Sequence, residues 1–243
     1  MYQQNLPNYK HDFLADPRWT KRVSEHYTFN YFSGSIAEKD INTIERRQEE
    51  AYKKIVDFLN VPEISKKIEY FIYPDKETKK ALMGDDWYAQ SIYNEYRIHI
   101  LYTEKDKPVG EHEDTHLLSL PWGLSIGFFQ EGFAEFMVGK AWDGKSHESY
   151  TKEGYKGSFY GPIKNFMDSG AWLRIDDAKA IYFYSLAGAF VSFLIQSFGK
   201  VKFEAFYKTS SRAYSAEKNS LIFEGIYGEK LEKIEGMFKS SFL

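Results

Sequence analysis

The 243-residue chain contains no cysteine. That excludes disulfides and every cysteine-ligated metal site, and leaves imidazoles and carboxylates as the strong ligands for a cation. A basic stripe is missing too. The 32 Lys and Arg stand against 35 Asp and Glu, a net charge of −3, which gives no case for nucleic acid as a partner. The start, Met1-Tyr2-Gln3-Gln4-Asn5-Leu6, lacks the basic residues and apolar run of a secretory leader. As written the chain reads as cytoplasmic, or as exported with its leader already removed. The longest charge-free apolar run, Ala180 to Ile195, has 16 residues. It falls short of the ~20 that a bilayer needs and reads as a buried helix, so no transmembrane segment is expected. No internal repeat or low-complexity linker is found.

What is present reads as an ordinary globular chain, 43% apolar and 28% charged, long enough to bury a sizeable core. The 19 Tyr and 20 Phe read first as core packing with polar tips. Residues 1–22 are polar and irregular and read as an arm. Strands are expected over Glu25 to Phe32 and Lys67 to Tyr73, and a hairpin over Trp87 to Tyr93 and Tyr96 to Tyr102. Between the first two, Ser33-Gly34-Ser35 offers an N-cap for a long helix ending at Leu59. Its apolar stripe is Ile41, Ile44, Tyr52, Ile55 and Leu59. His26 and His99 fall in expected strands; His26 reads as a surface or packing residue and His99 as a strand side chain with no metal role. From about Val109 onward the pattern is helical: Val109 to Leu120, Ser125 to Val138, Pro162 to Asp168, Ala178 to Phe198, and three more helices to the C-terminus. Gly139 to Gly157, with His147 inside, reads as an irregular loop or flap. Strands first and helices after make an α+β chain, with a mixed sheet lobe over 23–123 and an all-helical lobe over 124–243.

The helix after the hairpin carries His112-Glu113-Asp114-Thr115-His116, an H-E-x-x-H. Positions i and i+4 share a helix face, so both imidazoles aim at one point, as two corners of a tetrahedral zinc site require. Glu113 is one step round the helix and cannot be a third corner there. It is placed beside the metal, where it can take a proton from water. Fifteen residues after His116 stands Glu131, in Gln130-Glu131-Gly132-Phe133-Ala134-Glu135, on a second helix that can supply the third ligand. Glu135, four residues on, shares its face and is placed to hold a ligand imidazole by its other nitrogen. The plainer alternatives are a surface helix with two solvated His, and an exposed carboxylate at Glu135.

These two segments together resemble the gluzincin metallopeptidases, the group of thermolysin and the aminopeptidase N relatives, and most closely their compact bacterial peptidase MA-like branch. Tyr184-Ser185-Leu186-Ala187-Gly188-Ala189-Phe190-Val191-Ser192-Phe193-Leu194 is similar to the family's later Tyr-x-x-x-x-x-Phe-Val-x-x-Leu helix. The resemblance runs from about His26 to the C-terminus. Asp114 departs from it, placing a charge where the family has an apolar residue, and Gln130 stands for the usual Asn or Ser. The resemblance implies a thermolysin-like core with zinc in a cleft between the lobes. It implies Glu131 as third ligand and Tyr184 as donor to the oxyanion. It also implies that an extended peptide or protein substrate pairs with the hairpin edge at Trp87 to Tyr93, centred on Ala89 and Gln90. The reaction would be hydrolysis of a peptide bond, with Glu113 as general base. Two other classes stay open: a zinc-binding or metal-free interaction protein that has lost turnover, and an aromatic-lined binding module for carbohydrate or peptide.

Overall fold

The computed structural model describes residues 14–241. They divide into two compact units at Ser119/Leu120, and the whole is α+β: a mixed five-stranded sheet with helices first, a mostly helical part after.

The first unit runs β1 (Trp19–Val23), β2 (Tyr27–Phe32), α1 (Ile36–Leu59), β3 (Ile68–Tyr73), α2 (Lys76–Met83), β4 (Ala89–Ile92), β5 (Arg97–Leu101) and α3 (Glu111–Leu118). The sheet order is β1-β2-β3-β5-β4, parallel at its centre and antiparallel at both edges. A parallel pair needs a crossover, and α1 supplies it between β2 and β3. Its N-cap is Ser35, whose hydroxyl accepts from the Glu38 amide at 3.2 Å, while the Glu38 carboxylate takes the Gly34 amide at 2.6 Å. Asn60, left-handed at φ 54°, ends it. Its buried face is Ile44, Gln48, Ala51, Tyr52, Ile55 and Leu59, so the expected apolar stripe also carries a glutamine. The hairpin forms where the alternation placed it, with a tight turn at Tyr93–Glu95 between β4 and β5.

The arm expected over 1–22 does not extend through Trp19 to Val23. Residues 1–13 lie outside the described ones, and Trp19 to Val23 pair with β2 as an edge strand. An edge strand with three exposed residues at its end shows no apolar alternation. It is held by backbone pairing and by Trp19, edge-on to Phe32 and Phe71.

The second unit contains α4 (Gly127–Val138), α5 (His147–Lys156), α6 (Ser169–Trp172), α7 (Ala180–Phe198), α8 (Lys200–Thr209), α9 (Ala216–Tyr227) and α10 (Leu231–Ser240). The irregular loop or flap expected over 139–157 is instead largely helix α5, started by the Ser146 hydroxyl, which accepts from the Ser149 amide at 3.2 Å. The core is aromatic, as expected, with Phe129 against Phe206 (4.7 Å) and Phe223 stacked on Tyr227 (4.3 Å). With its leading turn, α7 spans Asp177–Phe198, 22 residues, and is long and apolar enough to cross a membrane by length and composition. The helix expected over Ala178 to Phe198 thus forms, and the 16-residue run is its charge-free apolar part. It packs against α4, α5 and α8, and half of its apolar window is buried.

One buried titratable group gives the sheet a pH signature. His99 on β5 stacks on Phe71 at 4.9 Å, with Nδ1 3.0 Å from the Tyr73 hydroxyl. Burial, reinforced by the charges of Lys79 and Arg97, holds the imidazole well below its ordinary 6.5. Below that pH the unfolded chain binds a proton that the folded one refuses. The stability this group contributes is therefore complete above pH 6.5 and is lost as the pH falls toward the depressed value. Urea denaturation between pH 7 and 5 should show wild type losing up to ~1.4 kcal/mol per pH unit more than His99→Gln. Parallel acid slopes in the two proteins would contradict this.

Candidate metal centre

Helix α3 brings His112 and His116 onto one face. Their rings are 5.1 Å apart between centroids and nearly perpendicular, and a ligand nitrogen of one lies within 4.8 Å of one of the other. His116 is buried and His112 half-buried. Two imidazoles at this spacing fit a transition-metal ion that prefers nitrogen and do not suit the all-oxygen shell of calcium or magnesium. Glu111, Glu113 and Asp114 occupy the first helical turn, where the helix dipole favours acidic side chains.

The start of α3 is clamped by α1. Gly110 precedes the helix at φ 126°, a conformation open to glycine and strained for other residues. Its amide donates to the Gln48 carboxamide oxygen, whose amino group lies 3.4 Å from the Gly110 carbonyl. Arg47 donates to the Val109 carbonyl at 3.0 Å. One turn further, Asp114 is wholly buried and accepts from the Tyr27 hydroxyl at 2.6 Å and from Gln48 Nε2 at 2.7 Å. Burial pushes this carboxyl well above its ordinary 3.8. The Tyr27 bond opposes the shift, and the charges of Glu113, Glu111 and Glu49 add to it. The departure at position 114 is thus a polar clasp joining β2, α1 and α3.

Beside the histidines, the Glu113 carboxylate accepts from the Ser91 hydroxyl of β4 at 2.6 Å. Strand β4 is a sheet edge. The Leu101 amide donates to the Tyr88 carbonyl. By the alternation of an antiparallel ladder, Gln90 and Ile92 also face β5, while Ala89 and Ser91 turn their backbone groups away from it. Gln90, expected at the centre of that edge, therefore faces the other way. Its side chain is buried with Lys79 and Asp85, Nε2 to Asp85 at 3.1 Å and Oε1 to the Lys79 ammonium at 3.3 Å. Ser91 stands where the sequence reading had placed Gln90.

In the second unit, α4 carries Glu131 and Glu135, both buried. Gln130 accepts from Arg212 Nε at 2.8 Å, tying the helix to the connection before α9. Gly132 lets α7 approach closely. A Cβ there would lie 2.6 Å from the Ala187 carbonyl oxygen and 2.8 Å from Val191. The Glu135 carboxylate sits 3.4 Å from His147 Nε2, and its backbone carbonyl 3.0 Å from the same atom. His147 Nδ1 is 3.3 Å from the Ser185 hydroxyl. His147 was hidden in the stretch read as a flap. Tyr184 on α7 is half-buried between Trp142 (6.0 Å) and Trp172 (5.1 Å), while Tyr182 faces Tyr150 and Phe159. The two tyrosines thus leave the helix on different sides.

A second group, Glu25, His26 and Glu49, also brings ligand atoms within 4.8 Å of one another. There the Glu49 carboxylate is taken up by His26 Nδ1 at 2.6 Å and the Ser24 hydroxyl at 2.5 Å, and Glu25 is exposed. The His26 ring stacks on Tyr52 at 3.8 Å. This is a packed, hydrogen-bonded pair in the bend before β2, and His26 is a packing residue there. A scan against protein-family models gives no match for the chain, and a search of curated proteins gives none either.

The clasp on Asp114 is open to a direct test. Tyr27→Phe removes one hydroxyl and leaves the buried carboxyl short of a donor. It should lower unfolding free energy by about 1–3 kcal/mol in urea denaturation. A change within ~0.5 kcal/mol, the scatter of an inconsequential surface substitution, would contradict the role.

Proposed function

We propose that this chain is a zinc-dependent peptidase of the gluzincin type, with a thermolysin-like core. The observation that carries the reading is the α3 face. It sets two imidazoles at metal-sharing distance, with a carboxylate on the next residue anchored to the neighbouring edge strand. His112, His116 and Glu131 are the protein ligands. Glu131 is a buried carboxylate, a group suited to ligating a cation. Zinc would supply Lewis acidity toward water and the substrate carbonyl, bringing the water's pKa to ~7.

The remaining work falls to side chains. Glu113 takes the water's proton as general base and passes it to the leaving amine as general acid. An extended peptide adds as a strand to the β4 edge through the backbone of Ala89 and Ser91. Glu135 orients a ligand imidazole, and His147 backs Glu135. Tyr184, its ring fixed by two tryptophans, donates to the developing oxyanion.

The purified protein should hold about one zinc per chain, and His116→Ala should lose it. Glu113→Gln should keep the metal and lose at least ~100-fold in peptide hydrolysis. Metal retained in full by His116→Ala, or lost from Glu113→Gln, would overturn the assignment of ligand and base.

A further inference from the structure

We infer that Ser91 is a positioning residue for Glu113, so that the strand which binds the substrate backbone also aims the base. This rests on the peptidase reading above. A glutamate has three rotatable side-chain bonds, and on a half-buried helix face several rotamers are open to it. Ser91 removes that freedom. Its hydroxyl has one proton and two acceptors in reach, the Glu113 carboxylate oxygen Oε2 at 2.6 Å and the Glu113 backbone carbonyl at 3.1 Å. The shorter, charge-assisted bond takes the proton. Oε2 is then held, and Oε1 is the oxygen presented to water.

The register makes the residue more than a local tether. Side chains alternate along a strand, so Ala89 and Ser91 share the face toward α3 while Gln90 lies on the other, buried with Lys79 and Asp85. Ser91 is also one of the two β4 residues whose backbone groups face the open edge. A peptide strand added there bonds to the residue that holds the base. Orientation of a catalytic group within a fraction of an ångström is what such outer contacts supply.

Threonine and valine differ at this position in one hydroxyl and have nearly the same shape, and both suit a strand. Ser91→Thr should retain turnover. Ser91→Val should bind zinc at the same stoichiometry, keep KM within about twofold, and lose roughly 10–100-fold in kcat, the scale for outer-shell partners. A readout independent of activity accompanies it. Crystal structures of the metal-free variants should show the Glu113 carboxylate in one rotamer in Ser91→Thr and in another, or spread over several, in Ser91→Val. Equal kcat for the two variants, or an unmoved Glu113 in Ser91→Val, overturns the inference. If wild type with bound zinc cleaves no peptide, the peptidase reading falls, and the rotamer comparison alone decides whether Ser91 holds Glu113.

Discussion

The first unit depends on one buried carboxyl. Asp114 sits in the middle of the histidine-bearing helix with no access to solvent, and its partners come from a strand and a helix far off in sequence, Tyr27 and Gln48. Leaving such a group unmatched would cost several kcal/mol, so those partners must be in place whenever α3 is. Gln48 also grips Gly110, the residue that starts α3. The position and rotation of the helix are therefore set by directional bonds as well as apolar contact. Two imidazoles that are to share one ion, as proposed, need that precision, because a small rotation of the helix would separate their lone pairs.

The second unit achieves its precision by close approach. Gly132 admits the α7 backbone against α4, and Gly188 on α7 admits Glu135, since a Cβ at 188 would lie 2.7 Å from the Glu135 Cβ. The two glycines bracket the segment that carries both α4 carboxylates. Their small size is a packing requirement beside the two buried carboxylates, and it accounts for the glycine inside Glu-Gly-Phe-Ala-Glu. His147 and Ser185 then fill the space beside Glu135 with polar contacts.

What could be read from the sequence was what is local. The H-E-x-x-H spacing, the capped helix ending at Leu59, the hairpin and the later helices all follow from periodicity and end signals within a few residues. The misses share a cause of the opposite kind. Trp19–Val23 is a strand through pairing with β2, not through its own pattern. Gly139 to Gly157 looked irregular because Gly154 and Gly157 mask a short helix begun by Ser146. The Asp114 clasp and the Ser91 bond join residues 22 to 87 positions apart, and no spacing rule links them. Gln48 did leave a trace, a polar residue at a core position of the α1 stripe between Ile44 and Tyr52. Asp114 left another, a charge inside a helix otherwise expected to be apolar on that side. Read as a pair, two misplaced polar residues signal a buried bond.

On the proposed function, His112, His116 and Glu131 hold one zinc ion. The most direct measurement is anomalous diffraction from crystals of the zinc-loaded protein, collected on both sides of the zinc absorption edge. One strong anomalous peak per chain is expected, about 2.0–2.2 Å from a nitrogen of each histidine and an oxygen of Glu131. No peak there, or a peak ligated by other residues such as Glu49 and His26, would contradict it.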